Sequence, residues 1–425
     1  MDELLTDARR RDETDELSGF RDRFWIPPGR DGEQAYFCGH SLGLQPKAAE
    51  SAVRDELSTW RERAVGGHFE GDPAWMHLSE YLSERLAEFT GALPGEVVVM
   101  NTLTVNLHLM MVSFFRPSDQ RRKILIEKNA FPSDRYAVVS QLKFHGLDPV
   151  RNLVEFEAQR DGLIDEESIE AWLAEHGREV ALVLWPGVQY ISGQAFDLRR
   201  IATAARKAGA RIGFDLAHAA GNLPLGLHDS GCDFACWCNY KYLNGGPGAV
   251  AGCFVHQRHH GASLPRFEGW WGNDEDSRFR MADTFSPAAG AAAWQQSTPP
   301  ILSMAPLKAS LELFREAGME RLRAKSVAMT AWLQQEVESR FHRTLQIITP
   351  SEPRRRGCQL SLRVRDGREY GRSLFRFLER RGVICDWREP DVIRVAPVPL
   401  YNRYEDIFRL ISSIHDWCES ERSSC

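Results

Sequence analysis

Ile212-Gly213-Phe214-Asp215 and Cys236-Trp237-Cys238-Asn239-Tyr240-Lys241 are two apolar runs, each closed by a residue equipped for chemistry, with the lysine 26 residues after the aspartate. A lysine in apolar surroundings can serve as an imine-forming nucleophile, and a buried carboxylate can keep a pyridine nitrogen protonated. Together Asp215 and Lys241 point to a site for pyridoxal 5'-phosphate. Taken singly, each has an ordinary structural explanation: a lysine snorkelling from a strand end, an aspartate capping the next helix. Their position at the carboxyl ends of two strands matters, because ligands of open α/β sheets collect there.

Outward from these runs, residues 97–100, 123–127, 180–184 and 249–255 repeat the pattern of a short apolar segment, separated by amphipathic stretches such as 198–208. That alternation predicts a mostly parallel sheet of the seven-stranded type, covered on both faces by right-handed crossovers. Helical spacing over 48–65 precedes it. Beyond it, helical spacing over 306–341 leads into strands at 345–348, 359–364, 383–387 and 392–398 and helices at 370–380 and 404–417, a smaller α+β domain. The expected division is a large domain, 61–305, and a second unit made of 1–60 with 306–425.

The bulk numbers fit a two-domain globular enzyme: 425 residues, 43% hydrophobic and 26% charged. A net charge of -6 and a pI near 6.1 exclude the basic stripe of a nucleic-acid binder and leave a small-molecule substrate as the expected partner. No run reaches the length needed to span a bilayer, and the acidic start Met1-Asp2-Glu3 lacks the order of a secretion signal. A cytoplasmic location is expected. Nine thinly spread cysteines suit reduced thiols, and the spacing of Cys232, Cys236 and Cys238 fits no zinc pattern, so no metal is expected.

Further residues gather around the same strand ends. Asn101-Thr102-Leu103-Thr104 opens a helix whose first-turn N–H groups, with the Thr104 hydroxyl, form an anion site, or whose threonine merely caps it. Phe131-Pro132-Ser133-Asp134 offers a ring to stack on a flat heterocycle and a carboxylate, although proline in a first helical turn also explains the motif. Asp215-Leu216-Ala217-His218 reads as the first turn of a helix, with carboxylate and imidazole on one side. Tyr240 adjoins Lys241 as a phosphate contact or proton relay, or as a half-buried tyrosine at a strand end. Arg394, inside the apolar strand Val392-Ile393-Arg394-Val395, needs a partner if it points inward, which a substrate carboxylate would supply; otherwise it faces solvent. Twelve tryptophans suit an aromatic substrate.

Read together, these motifs resemble those of the kynureninase family, fold-type I pyridoxal-phosphate enzymes. The resemblance runs from Tyr36-Phe37-Cys38-Gly39-His40-Ser41-Leu42-Gly43 through Leu103-Thr104-Val105-Asn106, Phe131-Pro132-Ser133-Asp134, Gly213-Phe214-Asp215-Leu216-Ala217-His218 and Tyr240-Lys241-Tyr242-Leu243-Asn244 to Arg394-Val395-Ala396-Pro397. It implies hydrolytic Cβ–Cγ cleavage of L-kynurenine, with the 3-hydroxy form as a second candidate, to anthranilate or 3-hydroxyanthranilate and L-alanine, in tryptophan catabolism. It makes Lys241 the Schiff-base lysine, Asp215 the pyridinium partner and Phe131 the stacking ring. Leu103, Thr104, Asp134, His218 and Tyr240 become cofactor contacts, with Tyr240 also the proton relay, and Arg394 the binder of the substrate α-carboxylate. Trp270 and Thr298 match positions that reach the cofactor from a neighbouring subunit, which implies a homodimer with shared active sites. His68, Ser41 and Asn273 fall near the substrate's aromatic end.

Three positions depart from the family pattern: His40 stands where asparagine is frequent, Pro186 where some relatives have serine, and Asn273 where some have histidine. They leave open a relative acting on a ring-substituted kynurenine in a specialised biosynthetic pathway. A desulfurase-like enzyme is another alternative, with Cys358, behind the basic run Arg354-Arg355-Arg356, as its candidate reactive thiol. A cofactor-binding regulator without turnover is a third; it would carry a basic DNA-binding segment, which the residues before Tyr36 do not resemble.

Overall fold

The structure, a computed structural model, describes residues 1–30, 32–159 and 162–422. Its centre is a seven-stranded sheet of β1 (Val97–Val99), β2 (Lys123–Glu127), β3 (Leu153–Phe156), β4 (Val180–Pro186), β5 (Arg211–Asp215), β6 (Phe234–Trp237) and β7 (Gly252–Val255). The spatial order is β1-β7-β6-β5-β4-β2-β3; β7 runs antiparallel to both neighbours and the other pairs are parallel. The expected mostly parallel α/β sheet is what forms. Strand β3 was not expected: as an edge strand it is only half-buried, so Leu153-Val154-Glu155-Phe156 carries a weaker apolar signal than the central strands.

Two glycines set how tightly the central strands pack. Gly213 lies opposite Phe234, and Gly252 opposite Trp237. A Cβ at Gly213 would meet the Phe234 ring at 2.0 Å, and one at Gly252 would meet the Trp237 indole at 2.2 Å. Both rings lie across the bare backbone of the neighbouring strand, an approach that any larger residue would block.

The C-terminal part holds a four-stranded antiparallel sheet of β8 (Leu345–Ile347), β9 (Leu360–Val364), β10 (Asp386–Arg388) and β11 (Val392–Val395), in the order β8-β9-β11-β10. The expected strand at 383–387 is two pieces. Val383–Ile384 pairs in parallel with Ala35–Tyr36, and only from Asp386 does the chain join β11. The segment Tyr36–His40 is thereby stitched to this sheet: Phe37 donates to the Ile384 carbonyl and accepts from Ala396. Helix Asp2–Glu13 packs on helix Tyr404–Arg422, and Leu4, Ala8, Ala35 and Phe37 enter the C-terminal core.

The single helical stretch expected over 306–341 is two helices, Ile301–Ala317 and Met319–Phe341. Gly318, at φ 76°, ends the first, a conformation outside any α-helix. Pro306 sits inside the first helix instead of opening it. Asp215 ends β5, and the residues after it form a turn, not the helical first turn that the spacing suggested: Leu216 N–H goes to the Cys236 carbonyl, and Ala219 and Ala220 close back on Leu216. Among the described residues no helix is long and apolar enough to cross a membrane.

Candidate functional site

At the carboxyl ends of β1, β2, β4 and β5 lies a cavity of about 170 Å³. Leu103, Thr104, Phe131, Asp134, Asp215, His218, Tyr240 and Lys241 all line it, as does Pro186. Eight residues singled out by their motifs thus converge from the ends of four strands, β1, β2, β5 and β6.

One end of the cavity is a helix N-terminus. Helix Leu103–Phe114 starts from Thr102, whose extended backbone provides no side-chain cap. The first-turn N–H groups are therefore left for a ligand, and Thr104 Oγ1 shares a hydrogen bond of 2.8 Å with Ser133 Oγ. Ser133 opens helix Pro132–Phe144 alongside Asp134 and was not assigned a role from sequence; its place within the Phe131-Pro132-Ser133-Asp134 motif was the available signal.

The floor is acidic. Asp215 is buried and accepts from the Ala217 N–H at 2.8 Å. Asp134 is buried beside it; burial first, then the charge of Asp215, pushes its carboxyl well above the usual carboxylate range. Glu127, at the end of β2, is a third carboxyl that the motifs missed. Burial, with Asp215 adding to it, raises Glu127 to about 8 against the pull of a Gln189 hydrogen bond. Three carboxyl groups in one desolvated cavity cannot all carry charge. His218 is held neutral, its basicity lowered by burial first and then by Lys241 and Arg394.

Lys241 reaches in from the other side, its Nζ 5.9 Å from the Phe131 and Tyr240 ring centroids. Burial, reinforced by Cys238, raises the Tyr240 phenol above its ordinary value, so it stays protonated near neutrality. Phe131, 41% exposed, lines the cavity and meets Tyr190 edge-on at 5.3 Å.

Tyr190 connects the cavity to a second cluster. Arg394 is fully buried on β11 and points inward, not to solvent. It donates to the Tyr190 carbonyl at 2.9 Å, to Ser41 Oγ at 3.2 Å and to Asp386 at 3.2 Å and 2.8 Å. Ser41 Oγ donates in turn to Asp386 at 2.7 Å. Asp386 was missed in the sequence, although it lies directly across the β10–β11 hairpin from Arg394. His40 is fully enclosed nearby, 6.2 Å from the His218 ring, and neither of its ring nitrogens has a hydrogen-bond partner.

Four candidates stand apart from the cavity within this chain. His68 packs against Trp75 at 5.3 Å and Phe69 at 6.3 Å. Trp270 is 43% exposed and bonds the Arg278 carbonyl through its indole N–H. Thr298 is exposed, and Asn273 is buried with its amide oxygen taken by the Ser286 N–H.

The chain matches the family model described as Kynureninase C-terminal domain over residues 322–414. It is 58% identical over 421 residues to a kynureninase of Stenotrophomonas maltophilia (strain K279a), covering 98% of this chain and 99% of that one. The chain belongs to the kynureninase family. A kynureninase of Xanthomonas euvesicatoria pv. vesicatoria (strain 85-10) is 55% identical over 420 residues, with 98% and 99% covered. Among solved structures, the cysteine desulfurase CsdA of Escherichia coli superposes with a TM-score of 0.76 at 17% identity, covering 95% of this chain and 98% of that one. A C-DES mutant with glycine covalently linked to the PLP-cofactor gives 0.74 at 19% identity, covering 90% and 96%. These likenesses establish the fold-type I architecture and nothing finer. The desulfurase alternative fails on its own thiol: Cys358 is fully buried, and burial pushes it up to about 12, opposite to the lowering expected from the neighbouring arginines.

Proposed function

We propose that this chain is a kynureninase, hydrolysing the Cβ–Cγ bond of L-kynurenine to anthranilate and L-alanine with pyridoxal 5'-phosphate. The observation that carries the reading is the convergence of Lys241, Asp215, Phe131, Thr104 and their neighbours on one cavity, in a member of this family. The cavity suits the cofactor chemically. Asp134 Oδ1, His218 Nδ1 and Glu127 Oε2 are buried in its lining without any hydrogen-bond partner, and such orphaned atoms call for a polar occupant. The uncapped helix end with the Thr104 and Ser133 hydroxyls suits a phosphate, and the acidic floor a protonated ring nitrogen.

Bound there, pyridoxal phosphate supplies an electron sink adjoining the amino-bearing carbon of the substrate. Lys241 is the anchoring amine and the base for the Cα proton. Asp215 is the carboxylate for the ring nitrogen, while Asp134, held protonated against it, adds no second charge. Phe131 stacks on the ring; Leu103 and Thr104 hold the phosphate end; His218 is a neutral hydrogen-bonding group. Tyr240 keeps its phenolic proton near neutrality and supplies it to the carbon released when water has added at the γ-carbonyl. Arg394 receives the α-carboxylate, entering beside Asp386 and Ser41.

Residues 61–305 carry the cavity, and 1–60 with 306–425 carry His40, Ser41 and Arg394, the division that substrate enclosure would use. His68, Ser41 and Asn273 are assigned to the aromatic end of the substrate. Trp270 and Thr298 are assigned to the cofactor of a second subunit in a homodimer. The exposure of Trp270 at 43%, Phe279 at 55% and Met281 at 75% supports burial of that surface in an assembly. The seven buried cysteines among the described residues are free thiols, which supports a reducing, cytoplasmic location.

Separate incubations with kynurenine, with 3-hydroxykynurenine and with cysteine plus a thiol reductant, followed by assays for anthranilates, alanine and sulfide, test the reaction. Anthranilate with equimolar alanine is expected, and sulfide release from cysteine in its place would overturn it. Borohydride reduction should fix the cofactor on the peptide holding Lys241; a label on another lysine would refute the site.

A further inference from the structure

At the opposite end of the sheet from the cavity, three side chains distant in sequence meet. Glu96 precedes β1, His256 follows β7, and His228 lies in the short helix Leu227–Ser230 that leads into β6. Glu96 is fully buried, and its two oxygens stand 3.0 Å and 3.1 Å from His228 Nδ1. Glu96 Oε1 is 3.6 Å from His256 Nδ1, and the two imidazole rings lie 4.9 Å apart.

We propose that Glu96, His228 and His256 form a binding site for a borderline divalent cation of the zinc class, separate from the catalytic cavity. A tetrahedral ion with metal–ligand bonds near 2.0–2.1 Å spaces its donors about 3.3 Å apart. The observed 3.0 Å and 3.6 Å bracket that spacing. One carboxylate and two imidazoles are a frequent three-ligand set for such ions, with water as the fourth ligand. The side chains of His228 and His256 are 25% and 12% exposed, which leaves a path for the ion and its water.

A further feature favours ligation. The carboxylate is oriented from behind: the Gln257 N–H donates to Oε1 and the Leu93 N–H to Oε2, each at 2.8 Å, the outer contacts that fix a metal-binding carboxylate. On binding, the ion would displace the His228 Nδ1 proton held by Glu96 and the backbone N–H of Arg258, which stands 3.2 Å from His256 Nδ1. The ion would tie the start of β1, the end of β7 and the segment entering β6, a structural role requiring no part in turnover. Because the three ligands fall 132 and 28 positions apart, no local spacing betrays the site.

Zinc titrated into the holoenzyme by calorimetry tests the proposal. One ion per chain is expected, with His228→Ala and His256→Ala each weakening it by more than about 100-fold, since even outer contacts are worth 10- to 100-fold. His77→Ala provides the control, because His77, Glu80 and Glu275 form an exposed group of one imidazole and two carboxylates. No binding by the wild type, or binding lost only in the His77 variant, would overturn the site. Should the His228 and His256 variants fail to fold, cobalt added to the wild-type holoenzyme decides. Intense visible bands of a four-coordinate nitrogen–oxygen site are expected, and the pale spectrum of octahedral cobalt would refute it.

Discussion

Replacing Glu127 by glutamine should change the pH dependence of stability in a calculable way. Glu127 is 2% exposed, lies in the cavity floor beside Asp215, and has its carboxyl raised from 4.5 to about 8, chiefly by burial. A carboxyl with a raised folded-state value binds its proton more tightly in the folded chain. Its stabilising protonation is fully present below about pH 4.5 and is lost as the pH climbs through about 8. At about 1.36 kcal/mol per pH unit, that window amounts to about 5 kcal/mol. Glutamine is neutral at every pH and removes this dependence. In the cofactor-stripped protein, urea midpoints for wild type and Glu127→Gln should nearly coincide near pH 4.5 and diverge steadily towards pH 8.5, with the variant the more stable. Restoring the cofactor should narrow the gap, because a protonated ring adds a positive charge to the acidic floor. A gap between the two proteins that is the same at both pH values would refute the argument that Glu127 is held protonated.

Arg394→Ala should raise KM for kynurenine by orders of magnitude and destabilise the chain by about 1–3 kcal/mol, because it removes one partner from the half-buried Asp386 carboxylate, which keeps Arg388 and Ser41. An unchanged KM in steady-state assays would move the carboxylate site elsewhere. Gly43→Ala places a Cβ 2.3 Å from the Lys241 carbonyl and 2.2 Å from Asn244 Oδ1, so it should shift the lysine and cut kcat at least tenfold while cofactor absorbance persists. A wild-type kcat in that variant would show that the loop absorbs the methyl. His40→Asn, which opens space and supplies a donor in an enclosed pocket, should alter the ratio of kcat/KM between kynurenine and 3-hydroxykynurenine; an unchanged ratio would remove His40 from substrate selection.

Most of the large sheet was legible because buried parallel strands are short, continuous apolar runs, and 211–214 and 234–238 are of that kind. The edge strand Leu153–Phe156 was not, since an edge need not be apolar throughout. Gly318 broke a helix whose amphipathic spacing continues on both sides of it, a break that depends on one backbone angle rather than on pattern. The cavity residues were legible where a polar group closes an apolar run, as Asp215 and Lys241 do. Glu127 closes such a run as well, but it carries no motif and its role arises only from two other carboxyls brought beside it. Asp386 escaped for a related reason: its meaning lies in the residue across the hairpin, and register is set by tertiary structure.

The parallel pairing of Ala35–Tyr36 with Val383–Ile384 has a mechanical corollary. His40 and Ser41 hang from the same rigid frame as Arg394, so any swing of the C-terminal sheet carries all three towards or away from Lys241 in concert. On the proposed roles, gripping the carboxylate and screening the rest of the incoming molecule are then a single movement, and a substitution that loosens this pairing should degrade affinity and selectivity together.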